Sequence, residues 1–399
     1  MRLSRRSLLQ SFGATAFVGS AAQICGPIRP GAPIGTHGFK HGKSVTNVAA
    51  DAQPLQGANS PSYPILLDQN ENAYGPSKKA LAVFRDAPHV SNRYPRTEYE
   101  SLISKIAARH EVKPDQIALG CGSTEILRLA AAEFLGPGKR LVQTAPTCPL
   151  LGGFARSVGA EVDNVPVTKR YEHDLDAMLA SAGDSAHLVY ICNPNSPTGT
   201  LTQRKDIETF ISKLPAKTMV LVDEAYHDYV SSNGSDASLL DPVLDDPRVM
   251  VTRTFSAIYG LAGMRVGYVV AAPEIARRIS AGLHLGISAI SAKAAAAALD
   301  DSEYVRLSAQ RNADDRQEFM NQVNGRFLHA VDSHTNFVML NPMRPTDHVI
   351  EHFKNNKIII GPIVQETPKY LRVSISTPAD MKEFWRVMDM LPGGGKMVM

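Results

Sequence analysis

Several things that would place this sequence quickly are scarce or missing. Its 399 residues carry four cysteines, Cys25, Cys121, Cys148 and Cys192, which lack metal-ligand spacing and are too scattered for a disulfide framework. No metal is therefore expected. Charge of one sign is nearly absent: 42 Lys and Arg against 39 Asp and Glu leave a formal +3, with no basic stripe and no interleaved aromatics. That argues against nucleic acid as a partner. The apolar run at 8–24 is too short and too rich in Gly and Ala to be a stable membrane span. Lysine is missing from the whole stretch between Lys217 and Lys293.

What is present is a globular composition, 44% hydrophobic and 20% charged, in a chain long enough for two domains, or one large and one small. The N-terminus is a separate matter. Ser4-Arg5-Arg6-Ser7-Leu8-Leu9 resembles a twin-arginine export signal, and Gly19-Ser20-Ala21-Ala22 offers small residues for cleavage. Residues 1–24 are thus expected to be an export signal and the protein periplasmic or secreted; an Arg pair on an unstructured terminus is the plain alternative. Ala22-Gln23-Ile24 before Cys25 makes a poor lipobox. Residues 25–63, rich in Gly, Pro, Ser and Asn without periodicity, read as a linker.

From residue 64 the chain alternates strand-like and helical stretches. Strands are expected at 117–119, 140–143, 187–192 and 219–222, and helices at 126–134, 150–158 and 205–214. This alternation predicts an α/β fold, with a mostly parallel sheet flanked by helices and ligands at the carboxyl ends of the strands. From residue 288 the pattern becomes α+β, suited to a smaller C-terminal domain. The expected division is an N-terminal arm at 64–92 joining the small domain, a large cofactor-binding domain at 93–287, a small domain at 288–392 and a tail at 393–399.

Two stretches suggest an anion site. Thr254, Ser256 and Arg265 lie across a Gly-punctuated turn, and hydroxyls with a guanidinium fork suit a phosphate. A buried turn with a surface Arg explains the same residues. Strand 117–119 runs through Gly120-Cys121-Gly122-Ser123-Thr124 into a helix, a geometry that presents unpaired N–H groups to an anion, although many such turns simply cap helices.

Residues 253–268 resemble the cofactor-lysine segment of the fold-type-I pyridoxal-phosphate aminotransferases, near the histidinol-phosphate group, whose pattern is S-K-x-x-G-L-A-G-x-R-x-G-Y. Further motifs follow in that family's order. Residues 65–76 resemble L-x-x-N-E-N-x-Y-G-P, Arg93-Tyr94-Pro95 resembles R-Y-P, and residues 193–199 resemble N-P-x-N-P-T-G. Residues 223–226 match D-E-A-Y, and Tyr370-Leu371-Arg372-Val373-Ser374 resembles the strand that carries the substrate-carboxylate Arg.

The resemblance implies pyridoxal 5'-phosphate as cofactor, amino-acid and keto-acid substrates, and a homodimer. Gly122, Ser123, Thr124, Thr254, Ser256 and Arg265 would hold the cofactor phosphate, with Tyr74 reaching it from the partner subunit. Asp223 would keep the pyridine nitrogen protonated, and Tyr226 would bond the ring oxygen. Arg372 and Asn72 would bind substrate. Four positions depart from the pattern. Ala257 stands at the Schiff-base lysine, Cys148 at the aromatic that stacks on the ring, and Ser196 at the Asn that bonds the ring oxygen. Ile360-Gly361-Pro362 replaces V-R-P, whose Arg grips a substrate phosphate.

The expected function is therefore transamination of a non-phosphorylated amino acid. The chain as written lacks the base and would accumulate substrate–cofactor adducts instead of turning over. Ala257 is either engineered to trap such an adduct or natural, in a homologue that binds without transaminating or runs another pyridoxal-phosphate reaction. A structural homologue without cofactor leaves Asp223, Tyr226, Ser256 and Arg265 unexplained.

Overall fold

A computed structural model describes residues 64–230, 237–283, 286–361 and 368–391. The expected export signal at 1–24, the expected linker at 25–63, Pro362, Pro392 and the expected tail at 393–399 lie outside them. The strands are β1 (Ile65–Leu67), β2 (Ile117–Cys121), β3 (Arg140–Ala145), β4 (Glu161–Pro166), β5 (Leu188–Cys192), β6 (Met219–Asp223), β7 (Val249–Thr254), β8 (Val266–Val270), β9 (His329–Ala330), β10 (Phe337–Asn341), β11 (Ile358–Ile360) and β12 (Leu371–Ser374). The helices are α1 (Lys78–Asp86), α2 (Arg96–Arg109), α3 (Gly122–Phe134), α4 (Pro149–Ser157), α5 (Leu175–Ala182), α6 (Arg204–Lys213), α7 (Pro273–Ala281), α8 (Ala289–Leu299), α9 (Ser302–Gly325), α10 (Thr346–Asn355) and α11 (Pro378–Asp389).

Seven strands form the main sheet in the order β2-β8-β7-β6-β5-β3-β4. Neighbours run parallel except at β8, which is antiparallel to both β2 and β7. Helices cover both faces, so the interior strand β5 is apolar throughout, and the period of two sorts its side chains between two cores. In β5, Val189 and Ile191 join one core with Ile106 of α2, Met178 of α5 and Phe210 of α6. Leu188 and Tyr190 join the other with Leu127 of α3, Leu151 of α4 and Ile275 of α7.

A third core gathers Phe319 of α9, Phe353 of α10, and Phe384 and Trp385 of α11 against the β12-β10-β9 sheet and the β1-β11 pair. The N-terminal strand thus pairs with a strand some 290 residues later, in parallel register Ile65↔Ile358. Helix α8, assigned from sequence to the C-terminal elements, is placed otherwise. Its Ala292, Ala295, Ala296 and Ala298 pack into the first core of the main sheet, beside Leu102, Ile106 and Ala80. Small side chains let the helix lie close to its neighbours, which a composition change at residue 288 does not reveal.

Candidate active site

The anion cup is assembled from two segments far apart in sequence, residues 122–124 and 254–267. Strand β2 turns into α3 at Gly122, where φ is +73° and a side chain would collide with Arg265 Nη2. Gly267 of β8 lies against the same turn; its Cβ would collide with Ser123 N and sit 2.6 Å from Gly122 C. These glycines bring backbone N–H groups at the start of α3 up against the β8 segment. Arg265 adopts a left-handed conformation, φ 54° and ψ 56°. Its Nη1 donates to Ser256 Oγ at 3.2 Å and to Ala262 O at 3.0 Å. Thr254 Oγ1 donates to Ser256 Oγ at 3.0 Å. The structure thus brings together Gly122, Ser256, Thr254 and Arg265, with Ser123 and Thr124 in the first turn of α3.

The central sheet supplies an acid beside this cup. Asp223 ends β6, is 4% exposed and has no cationic partner among the described residues. Its Oδ2 accepts from the Tyr190 hydroxyl at 3.0 Å and its Oδ1 from Ala225 N at 3.1 Å. Burial pushes its pKa up to about 6. A buried carboxylate held by neutral donors alone is a place for a cationic N–H. Tyr226, three residues on, accepts from Asn70 Nδ2 at 3.0 Å and packs edge-on to Phe337. Cys148 caps α4 at the end of the β3 segment, and burial pushes its thiol up to about 11, so it stays neutral.

Loop 193–200 is fixed by Asn195, which accepts from Thr147 Oγ1 at 2.8 Å and donates to Pro146 O and Thr198 Oγ1, both at 3.0 Å. Its amide is committed to the loop; Ser196 beside it is 6% exposed.

Ala257 is 4% exposed within the first core, in a turn closed by Gly260 N donating to Ala257 O at 3.0 Å. Gly260 has φ +66°, and its Cβ would collide with Gly75 O. The N-terminal segment therefore lies directly against the turn that holds Ala257. Asn72 clamps it: Nδ2 donates to Ile258 O at 2.8 Å and to the Tyr304 hydroxyl at 3.3 Å, while Oδ1 accepts from Tyr74 N at 3.0 Å. An amide so occupied holds the segment in place. The Tyr74 hydroxyl donates to Asp315 Oδ2 of its own chain at 2.7 Å, with Arg311 4.3 Å above its ring.

Arg372 of β12 donates from Nη2 to Asp68 O at 2.5 Å and lies 5.7 Å from the Phe337 ring, while its Nε is buried without a partner among the described residues. Gly361 donates to Arg372 O at 3.1 Å, and a Cβ there would lie 2.6 Å from that oxygen. A cavity of about 600 Å³ is lined by Asn72, Ser256, Gly260, Ser374 and Asp380 among others. Sequence reasoning missed Asn70 and Tyr190. Asn70 was visible in the N-E-N motif, whereas Tyr190 lies in an apolar run where nothing marks it.

A cup and a buried acid at the carboxyl ends of the strands of a mostly parallel sheet, with Arg372 on a separate antiparallel sheet, are the arrangement of a fold-type-I aminotransferase. The chain belongs to the class I and II aminotransferase family, which residues 63–388 match. It is 32% identical over 355 residues to the histidinol-phosphate aminotransferase of Methylobacillus flagellatus, spanning 88% of this chain and 94% of the relative. Histidinol-phosphate aminotransferase 2 of Pseudomonas fluorescens is 34% identical over 327 residues, spanning 81% and 88%. The crystal structure of histidinol-phosphate aminotransferase from Sinorhizobium meliloti in complex with pyridoxal-5'-phosphate superposes with a TM-score of 0.77 at 27% identity, covering 83% of this chain and 90% of that one.

Proposed function

We propose that this chain binds pyridoxal phosphate without a covalent link, accepts a non-phosphorylated amino acid beside it, and as written does not complete transamination. The observation that carries the reading is Asp223, a buried carboxylate without a cation next to the glycine-lined cup. These residues fit the group. The cup matches a phosphate, and Asp223 matches a protonated pyridine nitrogen. The chemistry supplied by bound pyridoxal phosphate is an aldehyde for the substrate amine and a protonated ring that draws electrons from the α-carbon.

The protein's own tasks follow. Ser256, Thr254, Arg265 and the N–H groups of Gly122, Ser123 and Thr124 hold the phosphate. Asp223 keeps the proton on the ring nitrogen, and Tyr226 and Ser196 donate to the ring oxygen. Cys148 covers the ring with less contact area than an aromatic. Arg372 takes the substrate carboxylate as a two-pronged donor. Gly361, seated on the Arg372 carbonyl, leaves no second guanidinium for a phosphate. Ala257 can neither hold nor move the α-proton. Cys148 and Ser196 depart from the family pattern in the same site, which favours a chain naturally without the lysine.

Two chains are proposed to form a homodimer in which Tyr74 exchanges Asp315 for the partner's phosphate. Absorbance titration with pyridoxal phosphate should give saturable binding, and borohydride reduction should leave no cofactor on the chain. A lysine adduct found by peptide mapping would overturn this, as would tight binding of histidinol phosphate without binding of free amino acids.

A further inference from the structure

Asn70 belongs to neither the phosphate cup nor the carboxylate pocket, yet it joins segments from both ends of the site. It is 4% exposed and has φ 56°, a left-handed conformation that asparagine tolerates better than most residues. Its backbone N–H donates to Ser374 Oγ at 2.9 Å, and Ser374 Oγ donates back to Asn70 Oδ1 at 3.1 Å. Asn70 Nδ2 then donates to the Tyr226 hydroxyl at 3.0 Å, while Asn336 Nδ2 fixes the Asn70 carbonyl at 2.9 Å. Ser374 is two residues along β12 from Arg372.

The polarity of this chain of bonds follows from its first member. A backbone N–H can only donate, so Ser374 Oγ accepts there and its proton is left for Oδ1. The amide is thereby oriented with its protons toward Tyr226. The tyrosine oxygen accepts one of them, and its single proton is left for a third group.

We propose that Asn70, oriented by Ser374, is a positioning residue that makes the Tyr226 hydroxyl a donor toward bound ligand, so that the site selects a ligand presenting an anionic or carbonyl oxygen at that point. The inference rests on the function proposed above, in which Tyr226 faces the cofactor's ring oxygen. It adds that the donor role is imposed from the strand carrying Arg372, which ties the ring end of the site to the carboxylate end.

Asn70→Asp tests the polarity, because a carboxylate still accepts from Ser374 but takes the Tyr226 proton for itself. Asn70→Gly removes the side chain while suiting φ 56°, which guards against a variant that fails only through backbone strain. In the cofactor-free protein, NMR of tyrosine labelled at the ring carbon bearing oxygen, with Tyr226→Phe assigning the resonance, reads the hydroxyl directly. Asn70→Asp should move that resonance toward a phenol donating to a carboxylate, and Asn70→Gly should not. In titrations with pyridoxal phosphate, Asn70→Asp should weaken binding about tenfold or more, as expected for losing a hydrogen bond to a charged acceptor. Tyr226→Phe should do the same, Asn70→Asp should add nothing when combined with Tyr226→Phe, and Asn70→Gly should fall between. An unmoved resonance in Asn70→Asp, or losses that multiply in the double variant, overturns the proposal. Failure of the unaltered chain to bind pyridoxal phosphate overturns the function proposed above instead, while the resonance still decides the orientation of Tyr226.

Discussion

At the scale of single residues, position 257 decides whether the site can act. In the function proposed above Asp223 and Arg372 serve cofactor and substrate, and a base at the α-carbon is what Ala257 withholds. Ala257→Lys should therefore give transamination. The parent chain should be slower by at least ~10²–10⁴-fold, the range a positioned base supplies. A single-turnover assay with a panel of amino acids, following cofactor absorbance and keto-acid release, checks this; equal rates would move the chemistry to another residue. Asp223 carries a second prediction, about pH. Its folded carboxyl titrates near 6, raised by burial from an ordinary value near 4. Between those values the unfolded chain has released the proton and the folded chain keeps it, so cofactor-free stability falls as pH rises through the window and stays lower above it. Asp223→Asn should make the cofactor-free protein more stable at pH 7.5 by ~1–3 kcal/mol and leave it nearly unchanged at pH 4. Urea unfolding at both values reads the difference.

At the scale of elements, the cup depends on how closely β8 approaches the β2–α3 turn. Gly267→Ala puts a methyl against backbone atoms of Ser123 and Gly122 that no side-chain rotation can relieve. It should cost ~1–3 kcal/mol of stability and weaken pyridoxal phosphate binding by at least tenfold. Gly153→Ala, in α4 with nothing within 4 Å of its Cβ, should leave binding alone and stabilise the helix slightly. Thermal unfolding and absorbance titration of the two variants separate these outcomes.

Elements with an apolar period were legible in the sequence: α4, α6 and β6 match their expected bounds within a residue. Strand β4 was not, since Glu161, Asp163 and Asn164 interrupt any apolar run on an edge strand. Helices α5 and α7 also went unread, α7 lying immediately after the motif stretch. The grouping of Gly122, Thr254, Ser256 and Arg265 was legible because glycine and charged motifs carried it. The place of Tyr190 under Asp223 was illegible because it comes from packing.

At the scale of the whole molecule, the proposed dimer and export are open to direct tests. A chain carrying Arg265→Ala mixed with one carrying Tyr74→Phe should yield mixed dimers in which one site bears both lesions and the other neither, so half the sites bind cofactor normally. A monomer that binds normally would contradict the shared site. Replacing Arg5 and Arg6 by lysine in the full chain should leave the protein in the cytoplasm with its leader attached, as fractionation and mass measurement would show.

The main sheet also bears on how the chain is made. Strand β2 lies at an edge, and β8 is its sole neighbour among the described residues, with Ile117 opposite Val270. A ribosome that has just finished β2 must add roughly 150 residues before that neighbour emerges, which at ~5–20 residues per second is on the order of ten seconds. Throughout that interval the glycine turn of the cup has its α3 half and lacks its Arg265 half. The site is therefore among the last parts of the main sheet that synthesis can complete, and nothing the cup is built to hold can be held before then.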